Sequence, residues 1–331
     1  MIKLRRSCLI LFGLLLVLPL VATTDPTLLR LVMPDAKVVA GLQVTQTKSS
    51  AFGQFILSHM QVEDPQFQKF IAQTGFDPRR DVTELVMASN WEQATPQSRW
   101  LVAARGVFNI PMITSAAIAN GGASTDFQGL SILTYAPTDQ QQAALNGIAF
   151  LDQSTAIMGD IASVKSAIQR QRANTPLPAK LRGKIQALSA KNDFWFATLV
   201  PISEFAGVMP DPNLSSAMKG NLLGAVHEAS GGIRFGDTVN ISGEAVTRSD
   251  KDAQALEDVF RFVAGLIQGG RQNDPAAGQI ANWVDTMDLQ TKANVMTVSL
   301  AIPEKQLEQM LNTMRQETQR PRKKPAAPQI N

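Results

Sequence analysis

The chain has 331 residues, 44% of them apolar and 18% charged, with a formal net charge of +3. That length carries one large domain or two compact ones with real cores, so no metal or disulfide is needed to hold it together. The positive charge is an end effect. Lys3, Arg5 and Arg6 open the chain and Arg320, Arg322, Lys323 and Lys324 close it; setting those seven aside leaves 24 basic against 28 acidic residues, which argues against a nucleic-acid footprint over the body.

Residues 1–24 have the pattern of a targeting segment: a basic start (MIKLRR), an apolar run from Cys8 to Ala22, then the small residues Ala22, Thr23 and Thr24. The run is about 15 residues, short of the roughly 20 that cross a bilayer. A cleaved signal peptide is the first expectation and an uncleaved membrane anchor the second, both placing the body in the periplasm or at the cell surface. Cys8 is the only cysteine. The mature body then has none, which excludes structural disulfides, thiolate catalysis and cysteine-ligated metal.

From Asp25 the pattern turns globular. A turn at 34–37 leads into a strand at 38–44, and Ser49 or Ser50 caps a helix with Phe52, Phe55 and Ile56 at helical spacing. Asp64-Pro65 starts a second helix that carries Phe67, Phe70 and Ile71 and stops at Gly75. A capped turn at 76–81 enters a strand at 82–89, with its partner at 100–108. A helix at 111–120 closes on Gly121-Gly122, a strand follows at 130–135, and 147–151 with 155–158 form a hairpin before Asp160 caps a helix at 161–172.

After a helical connector at 176–191 the order recurs. NDFWFATLVP (192–201) matches DAKVVAGLQV (35–44): each is an apolar run entered from a polar turn, and each leads to a Phe-Gly or Phe-Ala-Gly step that opens helical periodicity. Phe194, Phe196 and Val200 alternate with Trp195, Ala197 and Leu199, leaving neither face polar, as in a central strand covered on both sides. Helical pieces at 202–208 and 215–223 precede strands at 229–235 and 239–247, the latter alternating so as to leave one wet face. A capping box, Ser249 to Asp252, opens a long helix whose Leu256, Val259, Phe260, Val263, Leu266 and Ile267 form one stripe. Another helix carries Trp283, a hairpin follows at 288–293 and 295–302, and the last helix has Leu307, Met310, Leu311 and Met314 on one face.

The predicted fold is α+β: two tandem ferredoxin-like halves (βαββαβ plus a hairpin strand and helix) at 25–175 and 192–316, with mainly antiparallel sheets and helices on one face. The basic, Pro-rich tail at 317–331 is expected to be disordered.

Chemistry-bearing patterns are sparse. His59 and His227 are the only histidines, with no H-x-x-x-H or H-x-H pair to hold zinc and no G-x-S-x-G to nominate a serine. The carboxylate pairs Asp77 and Asp81, Asp250 and Asp252, and Asp285 and Asp288 each have a simpler job as helix caps or turn formers. No P-loop or dinucleotide glycine pattern occurs, and 211–213 lacks the ligand density of a calcium loop. Arg105-Gly106-Val107-Phe108 echoes an RNA-recognition strand without the spaced aromatics that stack bases. No catalytic residue, cofactor or metal is expected. The aromatics Trp195, Phe235 and Trp283 are the candidate ligand-binding set, against a plain role in the core.

Two stretches carry a resemblance. Gly75-Phe76-Asp77-Pro78-Arg79-Arg80-Asp81 before a strand, and Gly159-Asp160 leading into Ile161-Ala162-Ser163-Val164-Lys165-Ser166-Ala167-Ile168, are similar to exported bacterial α+β proteins classed as domains of unknown function. The resemblance implies a periplasmic or surface protein and brings no functional residues. The functional expectation is a non-enzymatic envelope protein that binds a partner protein or polymer. An apolar small-molecule binder acting between the halves is the alternative, and an exported hydrolase with a carboxylate pair the third reading.

Overall fold

The computed structural model describes residues 23–59, 65–91, 99–135, 146–208, 223–271 and 275–319. Residues 1–22 of the targeting segment expected at 1–24, most of the helix expected at 215–223 and the tail beyond 319 lie outside them; Thr24, at the end of that expected segment, is buried in the core, with its amide donating to Ser189 Oγ.

In the first half, α1 (Pro26–Leu31) precedes β1 (Val38–Gln43). Asp25 caps α1 by accepting from the Thr27 amide at 2.7 Å, and Pro26 sits in the first turn, where no donor is lost. Then come α2 (Val44–Thr47), α3 (Ala51–His59), α4 (Pro65–Thr74) and α5 (Pro78–Asp81), and the hairpin β2 (Val82–Ser89) with β3 (Trp100–Gly106). Gly75, at φ +67°, ends α4 in the left-handed region that favours glycine. Next are α6 (Ile110–Ala119), β4 (Ala123–Phe127), β5 (Leu130–Tyr135), β6 (Asn146–Asp152), β7 (Thr155–Asp160) and α7 (Ile161–Ala173). The connector is α8 (Ala179–Ser189). The second half holds β8 (Phe194–Thr198), 3₁₀ turns at Ile202–Val208 and Leu223–Ala225, β9 (Val226–Arg234), β10 (Thr238–Thr247), α9 (Asp250–Gly269), α10 (Pro275–Val284), β11 (Asp288–Lys292), β12 (Val295–Pro303) and α11 (Glu304–Gln319).

The twelve strands among the described residues form one antiparallel sheet in the order β11-β12-β10-β9-β8-β1-β2-β3-β7-β6-β5-β4. β1 and β8 pair at its middle, with Val38 opposite Thr198 and Leu42 opposite Phe194. From that seam each half runs outward alike: its first strand, its hairpin, then the later hairpin. The two first strands thus hold equivalent places, as a duplication requires. The ferredoxin-like arrangement of each half is not confirmed, because a split βαβ unit inserts a third strand between the two that its first helix joins, whereas β1 pairs directly with β2 and β8 directly with β9.

Helices lie on both faces, which corrects the expectation of one. Ala103, Ile157 and Ala149 belong to the main core under α1, α7 and α8, whereas their chain neighbours Ala104, Ala156 and Phe150 pack with α6 and Phe108 on the other side. Successive strand residues point to opposite faces, so these are two layers. In the second half, Ala229, Ala245 and Met296 meet Ala253 and Leu256 of α9. That layer shares its side of the sheet with Phe196, since Ala229 opposes Thr198 and the core residue Ala197 opposes Ser230. We call the two sides the Trp195 face and the Phe196 face.

The central strand β8 is fully covered on one side and only partly on the other, where Thr198 is buried but Phe196 is open. Trp195 and Ala197 are fully buried beneath α8 and α1, whereas Phe196 is 39% exposed. The stripe on α9 also divides. Ala253, Leu256 and Ala264 are buried, while Val259, Phe260, Val263 and Leu266 are among the exposed large apolar residues, joined by Phe262.

Candidate functional site

Strand register on the Phe196 face lines up an apolar row. Directly opposed neighbours run Leu133, Ile148, Met158, Val102, Met87, Ala40, Phe196, Gly231, Gly243, Val298 and Leu289, crossing every strand but β4. None of these side chains is polar. Helices cover its two ends, but the middle is open: Met87 is 42% and Met158 40% exposed. Gly231 lets the Phe196 ring lie close, since a Cβ there would stand 3.3 Å from the ring and 2.4 Å from the Ser242 carbonyl.

One end of the row deepens into a groove of about 210 Å³ whose wall is wholly apolar. Phe70, Phe76, Leu85, Phe108, Phe150 and Met158 line it. The rings brace one another, Phe76 to Phe108 at 5.5 Å and Phe108 to Phe150 at 5.4 Å between centroids. The opposite wall of the open middle is α9. Its Glu257 accepts from the Thr291 hydroxyl, and Arg261 donates to the Leu289 carbonyl at 3.4 Å, so that flank faces the outer strand β11. Val259, Phe262, Val263 and Leu266, spaced three and four apart, form the flank turned away from β11, toward the middle of the sheet. Phe262 is 66% and Leu266 60% exposed. Floor and wall together make an apolar trough.

Of the aromatics singled out from sequence, none lines this trough. Trp195 is in the main core on the opposite face. Phe235 is half-buried against the Phe52 ring at 6.1 Å, and Trp283 is buried on α10 with its indole donating to Gln306 Oε1 of α11 at 2.7 Å. The structure does not bring the three together, and the seam between the halves is a filled pair of strands.

The carboxylates have local partners. Asp77 caps α5 and is paired with Arg79 at 2.7 Å, and Asp81 is paired with Arg80 at 2.7 Å. Asp252 is bound by Arg248 and the Ser249 hydroxyl. Hydrogen bonds from these arginines hold all three carboxyls below their ordinary range, the opposite of what a general acid needs. Asp250 lies in the first turn of α9, Asp285 bonds Arg271 and Gln268, and Asp288 accepts from Gln290. His227 is exposed on β9, and the His59 side chain lies outside the described residues. Arg105 is tied to Asp25 at 2.7 Å, and Phe108 is in the groove, so the RNA-like tetrapeptide is used structurally.

One carboxyl stands apart. Glu84, buried on β2, is driven up to about 7 by burial, with the nearby Asp25 charge adding and the Asp25 amide, Gln43 and Thr24 opposing. It is on the Trp195 face, away from the trough. Sequence reasoning missed Met87 and Met158, since the stretches around them, 85–88 and 156–158, are apolar on both sides and so do not say which side is left open. No protein-family model, curated protein or solved structure matches the chain.

Proposed function

We propose that this chain is a non-enzymatic binding module of the cell envelope, which docks an uncharged, apolar polypeptide segment of a partner protein in the trough on its Phe196 face. One observation carries the reading: an apolar row across eleven strands is open at Met158, Met87 and Phe196 and walled by the exposed side chains of α9. From Met158 to Phe196 is four strand spacings, roughly 19 Å. That is the length of a helix of about three and a half turns.

Size weighs against a small-molecule ligand. The groove, at about 210 Å³, is below the roughly 300–1,000 Å³ of small-molecule sites, but it accepts one large apolar side chain as an anchor. Envelope location rests on the basic start and apolar run of residues 1–22.

The test is a photo-crosslinking residue placed at Met158 in the exporting cell, with a second at exposed Val107 as the control. A discrete protein adduct from position 158 only, lost when Met87→Lys is added, supports the reading. Adducts of lipid or small-molecule mass, or equal adducts from both positions, overturn it.

A further inference from the structure

The Trp195 face holds a buried polar cluster independent of the trough. Glu84 on β2 and Gln43 on β1 are directly opposed, and both are more than nine-tenths buried. Above them the chain enters the core. The Thr24 amide donates to Ser189 Oγ at 3.2 Å, and the Asp25 amide donates to both Glu84 oxygens at 3.2 Å. Thr24 itself is 2% exposed.

Three buried polar atoms here have no hydrogen-bond partner among the described residues: Thr24 Oγ1, Gln43 Nε2 and Trp195 Nε1. The Gln43 amide and the Thr24 hydroxyl stand beside Glu84 and favour its charge, but neither reaches it within the distance and angle of a well-formed hydrogen bond. The Trp195 indole nitrogen lies over Gly41, where a Cβ would be 2.6 Å away, and Gly41 is two residues before Gln43 on the same face. Unpartnered groups so deeply buried are rare in folded proteins and mark places where something else bonds them.

We propose that ordered water is built into the core here, bridging Gln43 Nε2 and Thr24 Oγ1 to the Glu84 carboxyl and accepting from the Trp195 indole N–H. The donor set selects the ligand. An amide NH₂ and an indole N–H only donate, so they turn away a cation, and the Glu84 carboxyl turns away an anion. A neutral molecule that both accepts and donates fits, and water is the one small enough for a core otherwise closed by α1 and α8. It gives Glu84 hydration inside the core, and it ties the cap of α1 to β1 and β2.

A crystal structure that resolves water tests this, together with the water contact of the Trp195 indole proton in solution NMR. The expected result is density about 2.7–3.2 Å from Gln43 Nε2 and from Glu84, with a water cross-peak at the indole proton that is lost or strongly reduced in Gln43→Leu. Thr24→Val, of the same shape, is the second variant should Gln43→Leu fail to fold, and it is expected to weaken the same cross-peak. Direct Gln43–Glu84 and Thr24–Glu84 bonds with no density between them overturn the proposal, as does an unchanged cross-peak in the folded variants.

Discussion

Gly41 of β1 lies directly opposite Trp195 of β8, and a Cβ at position 41 would stand 2.3 Å from the indole Cζ2 and 2.4 Å from Cε2. The glycine is therefore the space in which the fully buried indole lies, at the seam that joins the two halves.

Gly41→Ala is expected to overpack that seam and cost about 1–3 kcal/mol. A urea titration checks it: the midpoint falls while the slope is unchanged, because the same surface is exposed on unfolding. A midpoint equal to the parent's would mean that Trp195 is not seated over residue 41.

Glu84 predicts a pH dependence with a defined sign. Its carboxyl is near 7 in the fold, raised first by burial, against an ordinary value of 4.5. A carboxyl raised on folding contributes stability fully below 4.5 and loses it as pH rises through about 7. The fold is thus expected to be more stable at about pH 5 than at about pH 8, by up to on the order of 3 kcal/mol from this group. Glu84→Gln keeps an acceptor without the titration and should flatten that slope. Asp25 behaves oppositely. Burial alone would raise its carboxyl, but the Thr27 hydrogen bonds and Arg105 together outweigh burial and lower it, so its contribution is lost only in acid, below roughly pH 4.

Asp160 serves two elements at once, so its loss should exceed that of an ordinary cap. One oxygen accepts from the Ser163 amide at 2.8 Å to start α7, and the other accepts from the Trp100 amide of β3 at 2.9 Å. Asp160→Ala is expected to cost about 2–3 kcal/mol, the cap plus an orphaned strand donor. Asp160→Asn retains one acceptor and should cost less. Thermal unfolding of the pair, compared at one pH, decides it.

On α9 two substitutions should separate sharply. Leu256→Ala removes a buried side chain from the core and is expected to cost about 2–5 kcal/mol. Phe262→Ser, on the exposed flank, should change stability by no more than about 0.5 kcal/mol while weakening capture of the crosslinked partner. A large loss of stability from Phe262→Ser would mean that the flank is packed and not a docking wall.

Export is expected to depend on the basic start and apolar run. Deleting residues 1–22, which spares the buried Thr24, should leave the body in the cytoplasm, and fractionation of cells expressing the full chain should find it in the envelope. Retention of the full chain in the cytoplasm would remove the envelope reading while leaving the trough reading to be tested in vitro.

Much of the local structure was legible. Asp77-Pro78, Asp160 and the Ser249–Asp252 box each cap the helix that follows, because a short side-chain acceptor bonds amides two or three residues on whatever the rest of the chain does; Asp25 does the same for α1, a helix that was not foreseen. The likeness of 35–44 to 192–201 identified two strands of equivalent place, now seen paired at the centre of one sheet. β4 was not foreseen: its residues, Ala-Ser-Thr-Asp-Phe, are almost all exposed on the sheet edge and lack any apolar alternation.

The sequence alone determined most of the elements and several of their caps, since these depend on contacts between residues a few positions apart. Tertiary structure decided the rest: that the halves share one antiparallel sheet, that helices cover both faces, and that Trp195 is buried while its neighbour Phe196 is open. A strand with apolar residues on both sides carries no record of which side another layer will cover. That choice depends on where distant helices such as α8 and α9 come to rest, and the trough exists because they come to rest on opposite faces.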